Sequence, residues 1–174
     1  MSAPLPSSGA VAWADPARRA AFESWLSPLA HTRGLRPGSL RPASADASFR
    51  RYLRIDGADD TFIVMDAPPP QEDVRPFVHI AGLIQGAGLH APQVLECDPA
   101  QGFLLLTDLG TTLYLDQLRE ATPAQADRLM RDAVKALVQF QQAVDPATLP
   151  PTTRRSCSAS STCFPTGASS ASTG

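Results

Sequence analysis

The continuous apolar run at residues 61–65 (TFIVM), which three successive prolines soon follow, constrains the fold more than any other segment of the chain. A short run without polar alternation is typical of a central strand that is buried on both faces. Residues 49–55 (FRRYLRI) alternate apolar and basic side chains and predict a half-exposed strand. Turn residues at 57–60 separate the two runs, so we expect an antiparallel hairpin.

The remaining segments extend this hairpin into a larger sheet. Residues 39–42, 93–97 and 103–107 predict three more short strands, and the last two are joined by a turn at 98–102. Asp15 and Pro16 are typical of a helix start, and Phe22, Leu26 and Leu29 follow on one face. The fold class that we expect is α+β, with a five-stranded antiparallel sheet and helices against one face.

Three more helices are predicted after the third strand. One begins near Asp73, since Pro76 is tolerated only in a first turn, and residues 112–120 form a short helix. Thr122 and Gln125 have the spacing of a capping box for a long helix. The long helix has an apolar stripe, which we expect to pack normally on a further lobe and to form an exposed apolar patch in this chain: Ala126, Leu129, Met130, Ala133, Leu137, Phe140 and Val144.

Composition excludes some classes of partner and compartment. The net charge is −2, which gives no electrostatic reason to expect nucleic acid or a membrane surface as a partner. No apolar stretch approaches the roughly 18 residues of a membrane span. The three cysteines, Cys97, Cys157 and Cys163, lack metal-like spacing and are typical of reduced thiols in the cytoplasm.

The end of the chain differs in composition from the rest. Residues 152–174 are mostly Ser, Thr, Ala and Gly and contain no acid and no Leu, Ile, Val or Met, which is typical of disorder. When the reading frame is shifted by one base, Ser and Thr codons give rise to codons for apolar and acidic residues. We therefore interpret residues 151–174 as a tail that is translated out of frame. We expect residues 1–14 to be a flexible N-terminus. Residues 15–110 and 111–150 should be the two ordered parts of the chain.

Three local sequences resemble the aminoglycoside phosphotransferase family. They are SADASFRRYLRI, FIVMDAPPPQEDVRPFV and FLLLTDLG, and the similarity extends over residues 14–151. The resemblance is strongest to bacterial kinases that use ATP to phosphorylate the anomeric hydroxyl of N-acetylmuramate or N-acetylglucosamine. It implies that residues 15–110 form a kinase-like nucleotide-binding lobe and hinge, and that residues 111–150 begin a helical C-terminal lobe.

The resemblance also implies a set of nucleotide-binding residues. The phosphate loop would contain Ser44, Asp46, Ala47 and Ser48, followed by Arg50 and Arg51, of which one must point to each face of the strand. The alternative is an ordinary hairpin turn with solvated arginines. The hinge would contain Leu106, Thr107, Asp108 and Leu109, whose backbone reads an adenine edge. The alternative is a buried strand followed by a turn, with Asp108 as a helix cap.

The third strand departs from the kinase pattern. Many kinases place a phosphate-binding lysine there, at the position near Met65, but the chain's only lysine is Lys135. The phosphate-facing charge would therefore come from an arginine or from Mg²⁺. Glu72 and Asp73, at the start of the following helix, would meet Arg50, Arg51 or Arg75. Alternatively, they only provide favourable charge at a helix N-terminus.

The catalytic residues of the resembled family do not appear in this sequence. Phosphoryl transfer needs an HxDxxxxN-like loop and acidic Mg²⁺ ligands, but His31, His79 and His90 all precede the hinge and none is followed two residues later by Asp. We therefore expect a truncated, inactive sugar kinase for which ATP and Mg²⁺ are implied cofactors. The alternatives are a non-catalytic nucleotide-binding or interaction module and a fragment without function.

Overall fold

The computed structural model describes residues 11–45 and 49–149. The helices are α1 (Pro16–Arg33), α2 (Arg75–Gly86), α3 (Tyr114–Glu120) and α4 (Pro123–Ala143). The strands are β1 (Arg36–Ala45), β2 (Arg51–Asp56), β3 (Thr61–Asp66), β4 (Val94–Asp98) and β5 (Phe103–Thr107). All of these elements belong to one compact unit, residues 1–143. A second unit begins at Val144, and its described part contains a single 3-10 turn, Pro146–Thr148.

The five strands form one antiparallel sheet in the order β1-β2-β3-β5-β4. This confirms the α+β fold class and the central position predicted for the run at residues 61–65. The edge strand β1 is longer than the predicted residues 39–42, because its pairing with β2 continues across two register shifts. Prolines at an edge interrupt pairing less than they would in a central strand, since the outer N–H groups have no partner to lose.

One face of the sheet is covered by α1. The α1 residues Phe22 and Leu26 are buried against Val64, Phe103 and Leu105 of the two central strands. The Asp15 carboxylate caps the helix by accepting a hydrogen bond from the Ala17 N–H at 2.8 Å. Gly34 ends it in the left-handed conformation, which glycine adopts without strain.

The other face of the sheet is covered by α2, whose Phe77 and Val78 pack beside Met65 and Leu104. The prediction that the helices lie against one face was therefore wrong for α1 and α2. The reason is visible in β5, where Phe103 and Leu105 face α1 while Leu104 and Leu106 face α2. A strand with apolar residues at every position needs a cover on both sides.

The turn between β4 and β5 depends on Gly102, which has a φ of 72°. Its carbonyl accepts a hydrogen bond from the Ala67 N–H at 2.9 Å, so the turn is tied to the end of β3. A Cβ at this glycine would lie 1.9 Å from the Ala67 carbonyl oxygen. Only a residue without a side chain permits this approach.

The long helix α4 begins with the predicted capping box. The Thr122 N–H donates to the Gln125 side chain at 2.9 Å, and the Gln125 N–H donates to the Thr122 hydroxyl. No residue of α4 is buried, which confirms the prediction that its apolar stripe is an exposed patch in the described part of the chain. Met130, Val134 and Leu137 are all more than half exposed, and the described contacts of α4 include those with α3 and with the end of α2.

Some predictions fall on residues that the structure does not describe. These are the flexible N-terminus as far as residue 10, part of the phosphate loop, and the out-of-frame tail from residue 151 onward. Among the described residues, no helix combines the length and the apolar character needed to cross a membrane.

Candidate functional site

A cavity of about 400 Å³ opens on the α2 face of the sheet, beside the segment that follows β5. Its volume lies within the range of small-molecule sites. The strands contribute one group of lining residues: Ala43, Ser44, Tyr52, Arg54, Ile63, Leu106 and Thr107. The other group comes from α2 and from the connections on either side of β4 and β5: Phe77, Pro92, Asp108, Leu109, Gly110, Thr111 and Leu113.

The floor of the cavity is apolar because alternate residues of neighbouring strands project from the same face. Tyr52 of β2 and Ile63 of β3 pack at the edge of the buried cluster that contains Leu106 of β5. Leu109 and Leu113 project from the segment after β5, and both are more than half exposed. Apolar groups above and below an open cleft can hold a flat aromatic ring between them.

A charged network fixes the segment after β5. The Arg54 guanidinium donates hydrogen bonds to both Asp108 oxygens, with a distance of 2.9 Å from Nη2 to Oδ1. Thr61 also donates to the Asp108 carboxylate, as does the Gly110 N–H. Because α3 has Leu113 as its N-cap, the alternative interpretation of Asp108 as a helix cap was wrong.

These hydrogen bonds also determine the ionisation of the pair. Burial alone would raise the pKa of Asp108, but hydrogen bonds from Arg54, Thr61 and Gly110 outweigh it and lower that pKa below its ordinary value. The hydrogen bond to Asp108 in turn raises the pKa of Arg54. Both groups are therefore charged throughout the neutral range, and the pair remains intact there.

The backbone of the same segment leaves polar groups at the cavity wall. Thr107 exchanges hydrogen bonds with Gln93, through its N–H and its hydroxyl. Leu109 takes part in none of the loop and turn backbone hydrogen bonds found among the described residues. Those hydrogen bonds therefore leave the Leu109 N–H and C=O without a backbone partner.

Arg50 and Arg51 project in different directions, as the strand geometry predicts. Arg51 lies on the α1 face, where its guanidinium binds Asp66 and lies 4.2 Å from the centre of the Trp13 ring. Asp66 is nearly inaccessible to solvent and also binds Arg18, at 2.6 Å. The structure thus places Arg51 away from the cavity, in an ion-pair network that joins α1 to the sheet.

Arg50 instead pairs with the acidic residue that precedes α2. Its Nε donates to Glu72 Oε2 at 2.8 Å. Asp73 makes a local contact, in which its carboxylate accepts from the Arg75 N–H at 3.0 Å. Glu72 thus meets an arginine, as the first interpretation of the acidic pair predicts. Asp73 supports the start of the helix, as the alternative predicts.

The other predicted site residues divide into two groups. Ser44, Leu106, Thr107, Asp108 and Leu109 line the cavity. Met65 does not, because its side chain is fully buried between β3 and α2. Asp46, Ala47 and Ser48 lie outside the described residues.

Several residues that line the cavity were not predicted from the sequence, among them Tyr52, Arg54, Ile63 and Phe77. The alternation of residues 49–55 already placed Tyr52 and Arg54 on one face of their strand. Nothing in the sequence indicated that this face, rather than the opposite one, would border the cavity.

The donor set fits a nucleotide better than it fits Mg²⁺. An apolar cleft with backbone groups along one wall suits an adenine ring, and arginines suit phosphates. Mg²⁺ requires several oxygen ligands, and the described residues contain no group of three His, Cys, Asp or Glu side chains that could hold a metal.

Comparison with known proteins agrees with this geometry. The model of the phosphotransferase enzyme family matches residues 39–159. An N-acetylmuramate/N-acetylglucosamine kinase of Pseudomonas aeruginosa is 57% identical over 106 residues, which cover 61% of this chain and 30% of that protein. The proteins of the same name from Pseudomonas putida and Neisseria meningitidis are 51% and 35% identical, over 65% and 76% of this chain.

The matched regions are a limited part of these relatives. They cover 32% of the Pseudomonas putida protein and 39% of the Neisseria meningitidis protein. The chain thus spans about a third of the length of the curated relatives that it matches.

Proposed function

Because the chain belongs to the phosphotransferase enzyme family, we propose that the cavity on the α2 face binds ATP for phosphoryl transfer to a sugar hydroxyl. The adenine would lie on Ile63 and Leu106, with its edge against the backbone of Leu109. The acceptor would be N-acetylmuramate or N-acetylglucosamine, as in the names of the relatives. We assign this reaction to the cytoplasm, where ATP is available.

The observation that carries the proposal is the position of the cavity. It lies where the central strands β3 and β5 meet the segment after β5, and the Arg54–Asp108 pair holds that segment in place. A base pocket requires fixed backbone donors and acceptors, since a mobile wall would lose entropy each time a ligand bound. The ion pair provides this rigidity without occupying the Leu109 backbone.

Calorimetric titration of the purified chain with ATP and with adenosine tests the proposal. We expect saturable binding of both ligands. The substitution Ile63→Trp should fill the floor of the cavity and lower the affinity for both ligands by at least about tenfold, because a pocket filled by a side chain cannot admit a ring. Absence of binding by the unmodified chain at millimolar ligand would exclude the proposed function.

The control for this substitution is Leu40→Trp. Leu40 is also partly buried, but it packs on the α1 face of the sheet. We expect this enlargement to leave both affinities within about twofold, with a loss of stability of about 1–3 kcal/mol from overpacking. If Leu40→Trp and Ile63→Trp weakened binding equally, the loss would reflect general damage to the sheet and not occupation of the cavity.

A second candidate function has one specific observation in its favour. The apolar face of α4, with Met130, Val134 and Leu137, is exposed and could contact another protein. The chain would then be a nucleotide-binding or interaction module without catalysis. Transfer of labelled phosphate from ATP to N-acetylglucosamine by this chain would exclude the second candidate, since only the first involves catalysis.

A further inference from the structure

The position that carries a lysine in many kinases cannot contact a phosphate in this protein. Met65 is fully buried beside Val74 and Leu104. The chain's only lysine, Lys135, lies on the exposed surface of α4, where it pairs with Asp132 at 3.0 Å. A nucleotide in the cavity therefore requires a different cation for its phosphates.

The residues along β2 show which cation is suitably placed. Arg54 and Tyr52 occupy alternate positions within β2, and Arg50 continues this alternation immediately before the strand. Successive members of this row are about 7 Å apart. Arg54 is engaged by Asp108 at the end of the cavity where the base would lie. Arg50 therefore lies about 13 Å further along the row, in the direction in which the phosphates would extend from the base.

Arg50 is held at that end by Glu72, a carboxylate with only 12% of its side chain exposed. Burial alone would lower the pKa of Arg50, but the Glu72 carboxylate, supported by Tyr52, raises it above its ordinary value. Tyr52 lines the cavity and pairs with Ser44 across the β1–β2 ladder. Glu72 and Tyr52, of which Tyr52 lines the cavity, thus hold the positive charge at the end of the row opposite Arg54.

We propose that Arg50, positioned by Glu72, binds the nucleotide phosphates in place of the strand-three lysine. The inference rests on the proposed function, because it requires a nucleotide whose base lies at the other end of the cavity. A guanidinium presents its five N–H donors along different edges, so one group can bind a carboxylate and phosphate oxygens together. Arg51 is unsuitable, because it contacts Asp66 on the opposite face.

Affinities for ATP, ADP and adenosine, measured on each variant, test this role. We expect Arg50→Gln to lower the affinities for ATP and ADP by about tenfold. The affinity for adenosine should change by less than about twofold, because only the phosphates meet the guanidinium. The matched control is Arg75→Gln, which removes the same charge from an exposed residue at the start of α2. It should leave all three affinities within about twofold.

The ligand series separates failure of this inference from failure of the proposed function. If the unmodified chain bound neither ATP nor adenosine, the proposed function would fail. If the chain bound both and Arg50→Gln kept the preference for ATP over adenosine, only the role of Arg50 would be overturned.

A second variant decides the question if Arg50→Gln does not fold. The exchanged pair, Arg50→Glu with Glu72→Arg, keeps the ion pair but moves the cation to the connection before α2. We expect its melting temperature to stay near that of the unmodified chain and its preference for ATP over adenosine to fall by about tenfold. An unchanged preference in the exchanged variant would overturn the proposal.

Discussion

The Arg54 guanidinium and the Asp108 carboxylate form a two-bonded ion pair that joins β2 to the segment after β5 across the intervening strand β3. The Asp108 side chain is 5% exposed and the Arg54 side chain 15% exposed. This shielded carboxylate accepts four hydrogen bonds from three donor residues. It therefore contributes more to the stability of the fold than a carboxylate in a surface ion pair does. The pair therefore both stabilises the sheet and shapes the cavity wall.

We predict that Asp108→Asn destabilises the protein by about 1–3 kcal/mol at pH 7, because the amide offers Arg54 only one neutral acceptor. The folded state lowers the pKa of Asp108 from its ordinary value of 3.8. The stabilisation is therefore fully present above about pH 4 and is lost as the pH falls through the lower, folded-state pKa. Urea unfolding of both proteins between pH 7 and pH 2.5 should show the difference shrinking at the acid end.

Asp127→Asn is the control for this prediction. Asp127 pairs with Arg131 at 2.8 Å, but both side chains are more than half exposed. Exposed pairs on a helix contribute at most about 0.5 kcal/mol, so this variant should unfold almost as the unmodified chain does. A difference between Asp108→Asn and the unmodified chain that stayed constant down to pH 2.5 would contradict the linkage argument.

The sequence was most informative where the pattern is local. The cap at Asp15, the capping box at Thr122 and Gln125, and the central strand that starts at Thr61 all follow from residues close together in the chain. Thr107 and Leu109, for which the family resemblance implied a nucleotide-binding hinge, line the cavity, and the hinge role itself stays a prediction.

Features that depend on distant residues could not be predicted from the sequence. Which face of β2 borders the cavity depends on which helix covers which side of the sheet, and a strand with apolar residues throughout does not encode that choice. The partners of Arg50 and Arg54 lie 22 and 54 residues away. Nothing in the local pattern selects Glu72 for one and Asp108 for the other.

A second prediction concerns the turn that ties β4 and β5 to the end of β3. We expect Gly102→Ala to destabilise the protein by about 2–4 kcal/mol, because the positive φ is strained for alanine and the new Cβ would meet the Ala67 carbonyl at 1.9 Å. The measurement is the free energy of unfolding from urea titration. The control is Gly82→Ala, for which we expect a change in the free energy of unfolding of the opposite sign.

Gly82 lies within α2, and a Cβ there would meet no atom within 4 Å. Alanine favours a helix over glycine by about 0.5–1 kcal/mol, so this variant should be slightly more stable than the unmodified chain. If both alanine variants changed the free energy of unfolding in the same direction, the close contact at Gly102 would not be the cause.

A third prediction uses the exposed apolar face of α4. Leu137 has 56% of its surface exposed, so Leu137→Gln should change the free energy of unfolding by less than about 0.5 kcal/mol. Leu105→Ala, at a fully buried residue of β5, should cost about 2–5 kcal/mol. We also expect Leu137→Gln to reduce the fluorescence of an added hydrophobic dye, since it removes apolar surface that the dye can bind. Unchanged dye fluorescence would count against a continuous exposed patch.

The last prediction is that this chain binds ATP without transferring its phosphate. The sequence contains no His-x-Asp, so it lacks the group that would orient or deprotonate an acceptor hydroxyl in the resembled family. The described residues also contain no group of three metal-ligating side chains. Binding should then depend on the cavity and Arg50 alone. We expect EDTA to change the ATP affinity by less than about threefold, because metal-free ATP keeps the phosphate charge that a guanidinium binds.

Incubation with labelled ATP and N-acetylglucosamine, followed by separation of the sugar phosphate, measures transfer directly. A tightly bound contaminating kinase would also produce sugar phosphate, so the assay needs the Ile63→Trp variant alongside, purified in the same way. Activity that the unmodified chain shows and Ile63→Trp loses would prove that the cavity supports catalysis and would refute the prediction. A strong requirement of ATP binding for Mg²⁺ would contradict the expected EDTA result, because the metal on the phosphates would then contribute to the affinity.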